Sequence, residues 1–270
     1  MRRTIVRVAV ATAGLAACLA AGVPPAGAQT CPAGTVAAPT ILGLKYCAMP
    51  AFTAVVAAHR DRVRADIRAQ RAAGKLIVYA STPISPRGGG DMPINFEIAA
   101  AVKARLEKEF GAGIWVLNPG AYELPDVGGK QAGGGDYMVS WTDVLSGEDG
   151  LGRDFDMFHF TGPRDMRAFY GCAGDDLTGC LGRWIDARAA RDARFKKEVA
   201  DNAAARAGFV RYYAFRASTG YSTGAHDEWN IVVRLNRKRR LGDQIAIFFD
   251  GRPVSPAEME AEVTPGYEVR

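Results

Sequence analysis

The sequence predicts a three-layer α/β fold built on a five-stranded, mostly parallel sheet. Short continuous apolar runs of strand length recur along the chain, as strands buried on both faces require. Between them lie segments whose apolar residues recur at three- and four-residue spacing, the period of an amphipathic helix. That alternation favours helices on both faces of one sheet.

The first 28 residues stand apart from this pattern. MRRTIVR is a short basic start, VAVATAGLAACLAAGV is apolar, and Ala26-Gly27-Ala28 forms an A-x-A cleavage site before Gln29. This order predicts a secretory signal over residues 1–28, and so a secreted or periplasmic protein. Leu15-Ala16-Ala17-Cys18 offers a minor alternative, a lipoprotein box with Cys18 lipidated. No later apolar run reaches the ~20 residues a spanning helix needs, so no transmembrane segment is expected. The signal holds Arg2, Arg3 and Arg7 and no acid, so the formal charge of +5 falls by three without it. Much of the basic balance belongs to export, and a nucleic-acid partner is not expected.

Residues 29–50 are rich in Ala, Pro and Gly and form an N-terminal extension expected to wrap the surface. The remaining cysteines, Cys31, Cys47, Cys172 and Cys180, fall into two local pairs, which predicts disulfides Cys31–Cys47 and Cys172–Cys180 in an oxidising compartment. Residues 51–270 then read as a single α/β domain with an insertion over 163–208.

Within the domain, Val55, Val56, His59, Val63 and Ile67 have helical spacing over 52–73, and Gly74 ends the helix. KLIVYA (75–80) is the first strand. Ile94, Ile98, Val102, Leu106 and Phe110 define a helix over 94–110, and IWVLN (114–118) the second strand. A glycine-rich loop leads to a helix around 136–145. FDMFHF (155–160) is the third strand, with Pro163 suited to the first turn of the helix that follows. After the loop 172–180 comes a long polar helix over 181–206. FVRYYAF (209–215) reads as the fourth strand, 226–239 as a helix, and QIAIFF (244–249) as the last strand. The expected topology is flavodoxin-like, with strand order 2-1-3-4-5.

In such sheets ligands bind beyond the carboxyl ends of the strands, which directs attention to Ser81-Thr82, Asn118, Thr161-Gly162-Pro163, residues 219–228 and Asp250. After the first strand, STPISPRGGGD (81–91) carries a glycine run suited to close backbone approach. It is neither a Walker loop nor a G-x-G-x-x-G fingerprint, so no bound nucleotide cofactor is expected. Three scattered histidines and no Cys/His cluster predict no metal. Tyr137 and Trp141 are aromatic enough to stack on a base, though their helical spacing suits core. His59 and His159 lie on apolar faces and read as core.

The stretch TGYSTGAHDEW (219–229) asks for more than a turn. Gly220 and Gly224 free the backbone, Ser222 and Thr223 offer hydroxyls and amides to a sugar or phosphate, and Glu228 falls in the first turn of the next helix. A carboxylate there is held ionised by the helix N-terminus and suits attack on a sugar carbon with oxocarbenium character. An Asp-Glu pair that merely starts a helix reads the same way. His226, two residues earlier, is placed to protonate a leaving base or simply to bond within the turn. Arg87, Arg153, Arg164 and Arg216 are candidates to hold phosphate, or solvated surface cations.

The order of these parts resembles the nucleoside 2-deoxyribosyltransferase family: LIVYAS near the start, a D-x-x-L helix before an Asp-led strand, and Ser-Thr-Gly-x-x-x-Glu opening the helix before a final strand. In that family the motif runs Asp-Ser-Gly-x-x-x-Glu; Ser222 stands here at the leading aspartate. By position, the resemblance implies Glu228 as nucleophile, Tyr79 as the residue that orients it, and Asp143 as a contact to the base. Export favours water as acceptor. The expected function is N-glycosidic-bond cleavage or pentosyl transfer on a small nucleoside- or sugar-like ligand, with catalytic Glu228, Tyr79 and His226. Ser81, Thr82, Asp143, Gly162, Ser222, Thr223 and Gly224 would contact substrate. The rival expectation is a non-catalytic periplasmic binding or interaction protein with the same crevice.

Overall fold

In the computed structural model, residues 30–216 and 222–269 are described. The expected export signal, Cys18 and Gly220 lie outside the described residues, as does the side chain of Arg216.

A hairpin of β1 (Val36–Pro39) and β2 (Lys45–Ala48) precedes the domain. α1 (Thr53–Ala72) buries Val56, His59, Val63 and Ile67, one stripe at helical spacing. β3 (Leu76–Ser81) is buried from Ile77 onward, as its unbroken apolar run requires. α2 (Met92–Phe110), capped by Asp91, leads to β4 (Ile114–Leu117). α3 (Gly134–Ser146) and β5 (Met157–Phe160) follow. Then come α4 (Pro163–Tyr170), α5 (Leu177–Ala189), α6 (Ala193–Phe195) and α7 (Ala203–Arg211). α8 (Thr223–Lys238), β6 (Ala246–Phe249), β7 (Arg252–Pro253) and α9 (Pro256–Met259) complete the order.

The main sheet runs β4-β3-β5-β6-β7. Its first four strands are parallel, with Tyr79 opposite Leu117 and Phe158, and β7 is antiparallel to β6. Alternation along β3 divides the core. Ile77 and Tyr79 face α1, α3 and α8, among Trp141, Phe158 and Ile231. Val78 and Ala80 face α2 and the α4–α7 helices, among Ile98, Phe195 and Phe209. This is a three-layer α/β fold with a mixed, mostly parallel sheet. From β3 the chain goes to β4 on one side and to β5 on the other, so the crevice at the carboxyl ends of β3 and β5 is the topological switch point where ligands settle in open α/β sheets.

Four of the five expected strands form; residues 209–215 do not. They are the end of α7 and a wide π-type turn, Tyr212–Arg216. Phe209, Tyr212 and Tyr213 are the buried residues of this run, and their three- and four-residue spacing is helical. Phe209 packs on Trp184 at 5.9 Å and on Tyr213 at 4.4 Å. The fifth strand is the short β7. The helix expected over 181–206 is broken where Asp192 and Asn202 cap new turns, accepting the N–H of Phe195 and Ala205.

Both disulfides form, Cys31–Cys47 and Cys172–Cys180. The extension is more than a wrapping: Tyr46 of β2 is fully buried and accepts a hydrogen bond from the Thr142 hydroxyl. Among the described residues no helix is long and apolar enough to cross a membrane. His59 is buried between the Ser140 hydroxyl and the Tyr122 carbonyl, and burial lowers its affinity for a proton. His159, equally buried, bonds Asp165 at 2.9 Å.

Candidate active site

Ser222 caps α8, its hydroxyl accepting the Ala225 N–H at 3.2 Å. The helix therefore starts at Thr223, earlier than the sequence pattern indicates, and Glu228 falls in its second turn rather than its first. The field of the helix terminus fades within the first turn, so other groups must hold this carboxylate. They come from β3. Tyr79 Oη donates to Glu228 Oε1 at 2.7 Å, and Ser81 Oγ donates to Oε2 at 2.5 Å. Tyr79 and Ser81 share a face because strand side chains alternate, and both point toward α8.

Glu228 is 8 % exposed. Burial raises its proton affinity; the two hydroxyl donors pull the other way, and the neighbouring Asp227 carboxylate adds to the rise. Tyr79 is held protonated by burial and by the adjoining carboxylate. Each carboxylate oxygen keeps a lone pair beyond the one its hydroxyl uses.

Glu228 borders a cavity of about 350 Å3 above the switch point. Tyr137, Met138 and Trp141 of α3 line it together with Glu228 and Tyr267. Thr82 also borders it, its hydroxyl bonded to that of Thr161 at 2.8 Å across the β3–β5 crevice. Ser222, Thr223 and Gly224 edge the same space. Trp141 is thus both core, at 4 % exposure, and cavity wall.

Other expected residues lie elsewhere. The His226 ring bonds the Thr264 carbonyl at 2.8 Å and does not border the cavity; two residues apart on a helix, it and Glu228 cannot share a face. Asp143 accepts the Ile41 N–H at 2.9 Å and faces Arg60 at 3.6 Å, beside the β1–β2 turn. Gly162 caps α4, where a Cβ would meet the Asp250 side chain at 2.5 Å. Arg153 pairs with Asp149 at 3.1 Å at the opposite end of the sheet. The Arg164 backbone N–H donates to Asp250. Of the glycine run, Gly89 lies against the Gly208 backbone, where a Cβ would be 2.6 Å from its carbonyl oxygen. The close approach it permits is to α7.

Asp227 and Tyr267 are the residues that the pattern did not single out. Asp227, 1 % exposed, accepts the N–H groups of Gly266 and Tyr267 at 2.8 and 2.6 Å. Burial raises its proton affinity against these same bonds. Nothing local in sequence links positions forty residues apart.

No protein-family model matches the chain, and neither a curated protein nor a solved structure is significantly similar to it. What fold and geometry define together is an α/β protein whose switch-point crevice holds a buried, hydrogen-bonded carboxylate near a helix start.

Proposed function

We propose that the protein is an exported enzyme acting on N-glycosidic bonds, with Glu228 as nucleophile. The observation that carries the reading is the Tyr79–Glu228–Ser81 arrangement, whose carboxylate residue borders an aromatic-lined cavity. A Glu228 oxygen attacks the anomeric carbon of the sugar, and the carbon–nitrogen bond breaks. The base leaves with the bonding electron pair and takes a proton from solvent. The glycosyl ester is then attacked by water, which yields free sugar and the regenerated carboxylate, or by a second base, which yields a transferred nucleoside. Tyr79 and Ser81 hold the carboxylate in line, each by one hydrogen bond, and leave its remaining lone pairs for the attack. Resemblance of Ser-Thr-Gly-x-x-x-Glu to the nucleoside 2-deoxyribosyltransferase motif supports the assignment, as does the switch-point position. The signal-like first 28 residues and two disulfides support export.

One observation favours the rival reading, a non-catalytic binding protein: both Glu228 oxygens already accept hydroxyls and the residue is nearly closed off. The deciding experiment measures free base released from nucleosides, nucleotides and NAD, with and without an acceptor base. Release by the wild-type protein that vanishes in a folded Glu228→Gln variant is the expected result. No release by folded wild-type protein, or equal release by the variant, leaves the binding reading.

A further inference from the structure

Residues 260–269 run as a tail along α8 and are held there at many points. Trp229 Nε1 donates to the Ala261 carbonyl at 2.9 Å, and the Asn230 side chain bonds both the N–H and the carbonyl of Val263. Arg234 pairs with Glu262 at 2.8 Å and Glu268 at 3.1 Å. Beyond this strap the tail is admitted to the cavity by fitted glycines. A Cβ on Gly266 would lie 1.8 Å from the Thr223 carbonyl oxygen, and one on Gly134 would lie 2.2 Å from the Tyr267 ring. Asp227 fixes the backbone between them through the Gly266 and Tyr267 amides. A buried carboxylate is costly unless it is fully hydrogen-bonded, yet this one is spent on orienting a loose-looking segment.

The outcome is one ring in one place. Tyr267 borders the cavity with its ring seated on the start of α3 at Gly134. The Arg87 guanidinium lies 5.6 Å from the Tyr267 ring centroid, so a planar delocalised group already packs on this phenol at the rim.

Resting on the glycosidic reading of this cavity, we infer that Tyr267 is its specificity-determining residue. The ring is the surface on which the planar base of the substrate stacks, and Asp227 is a positioning residue that acts through it. Selectivity for an aromatic leaving group over a bare sugar then resides in the tail, while bond cleavage resides on α8.

Binding is measured separately from turnover, by calorimetry on the whole protein in wild-type and Glu228→Gln backgrounds. The probes are adenosine, inosine, uridine, thymidine and ribose. The expected result is that at least one nucleoside binds more tightly than ribose. Tyr267→Ala should weaken that nucleoside about ten-fold, within the range that base–aromatic stacking supplies, and leave ribose unchanged. Tyr267→Phe should restore binding, and Asp227→Asn should weaken the same nucleoside, by less than Tyr267→Ala does, with ribose unchanged. Nucleosides binding no better than ribose overturn the inference. So does a Tyr267→Ala variant that binds nucleoside as wild type does, or that loses nucleoside and ribose alike while Tyr267→Phe does not recover. Because these are affinities, a chain that binds bases through Tyr267 but releases none refutes the Glu228 chemistry alone.

Discussion

Replacing Glu228 by Gln should make the protein more stable at neutral and alkaline pH while abolishing any chemistry the carboxylate performs. Burial raises its proton affinity even though Tyr79 and Ser81 donate to both oxygens. The native state therefore binds more protons than the unfolded chain once pH exceeds the ordinary glutamate value of 4.5, and stability falls as pH rises through the folded pKa. Gln keeps the shape, one oxygen accepting from a hydroxyl and its amide donating to the other. The two charge-assisted bonds weaken by roughly 1 kcal/mol each. Against that, removing a buried charge recovers several kcal/mol of desolvation. The net gain should be about 1–2 kcal/mol at pH 8, shrinking toward zero or reversing near pH 4. Urea unfolding of both proteins at pH 4, 6 and 8 measures this. A Gln variant less stable than wild type at pH 8, or a difference that does not move with pH, refutes the argument. It would mean that Tyr79 and Ser81 satisfy the carboxylate fully and that Glu228 belongs to the scaffold.

Two further outcomes follow from the geometry. Burial alone would raise Asp165, but His159, Arg105 and the Gly162 N–H reverse this and hold it below the usual aspartate range. Its contribution to stability is present above the unfolded value of 3.8 and lost as pH falls through the lower folded pKa. Asp165→Ala strands a buried His159 and should cost about 3–5 kcal/mol in urea melts, and a loss under about 1 kcal/mol would contradict the network's role. Gly266→Ala forces a methyl against the Thr223 carbonyl and should destabilise by about 1–3 kcal/mol and open the tail to protease. Gly113→Ala, with nothing within 4 Å of its added carbon, should stay within about 0.5 kcal/mol of wild type; equal effects would sink the tail's claimed fit.

The sheet was legible because KLIVYA, IWVLN, FDMFHF and QIAIFF are short continuous apolar runs, which suit strands covered by helices on both faces even where, as in the edge strand β4 and in β6, some residues stay partly open. FVRYYAF shares the composition but not the cause. It lies inside a helical layer packed on Trp184 and Phe195, and the contacts to Phe209, Tyr212 and Tyr213 override the β-leaning aromatics. Tyr79 and Glu228 were paired in advance only through the resemblance to the nucleoside 2-deoxyribosyltransferase motifs; the residues alone pointed to Glu228 and not to Tyr79. His226 and Asp143 could not be judged, since one residue of rotation or one turn of helix decides which side of α8 or α3 they occupy. Asp227 looked like a helix-starting acid; that it clasps Gly266 and Tyr267 depends on where the chain returns, which no local pattern encodes.

The bridge between Tyr46 of the N-terminal hairpin and Glu268 of the tail, with Val269 donating to Lys45 at 2.9 Å, has a mechanical consequence. Suppose the molecule is pulled by residues 31 and 269. The Cys31–Cys47 bond carries the tension past the hairpin, straight to the strand that touches the tail. Residues 47 and 269 lie at opposite ends of this antiparallel pair, so its two backbone links are loaded in shear and share the tension. The hairpin, the tail and through it α8 thus form one tension path that passes beside the crevice and bypasses the parallel strands.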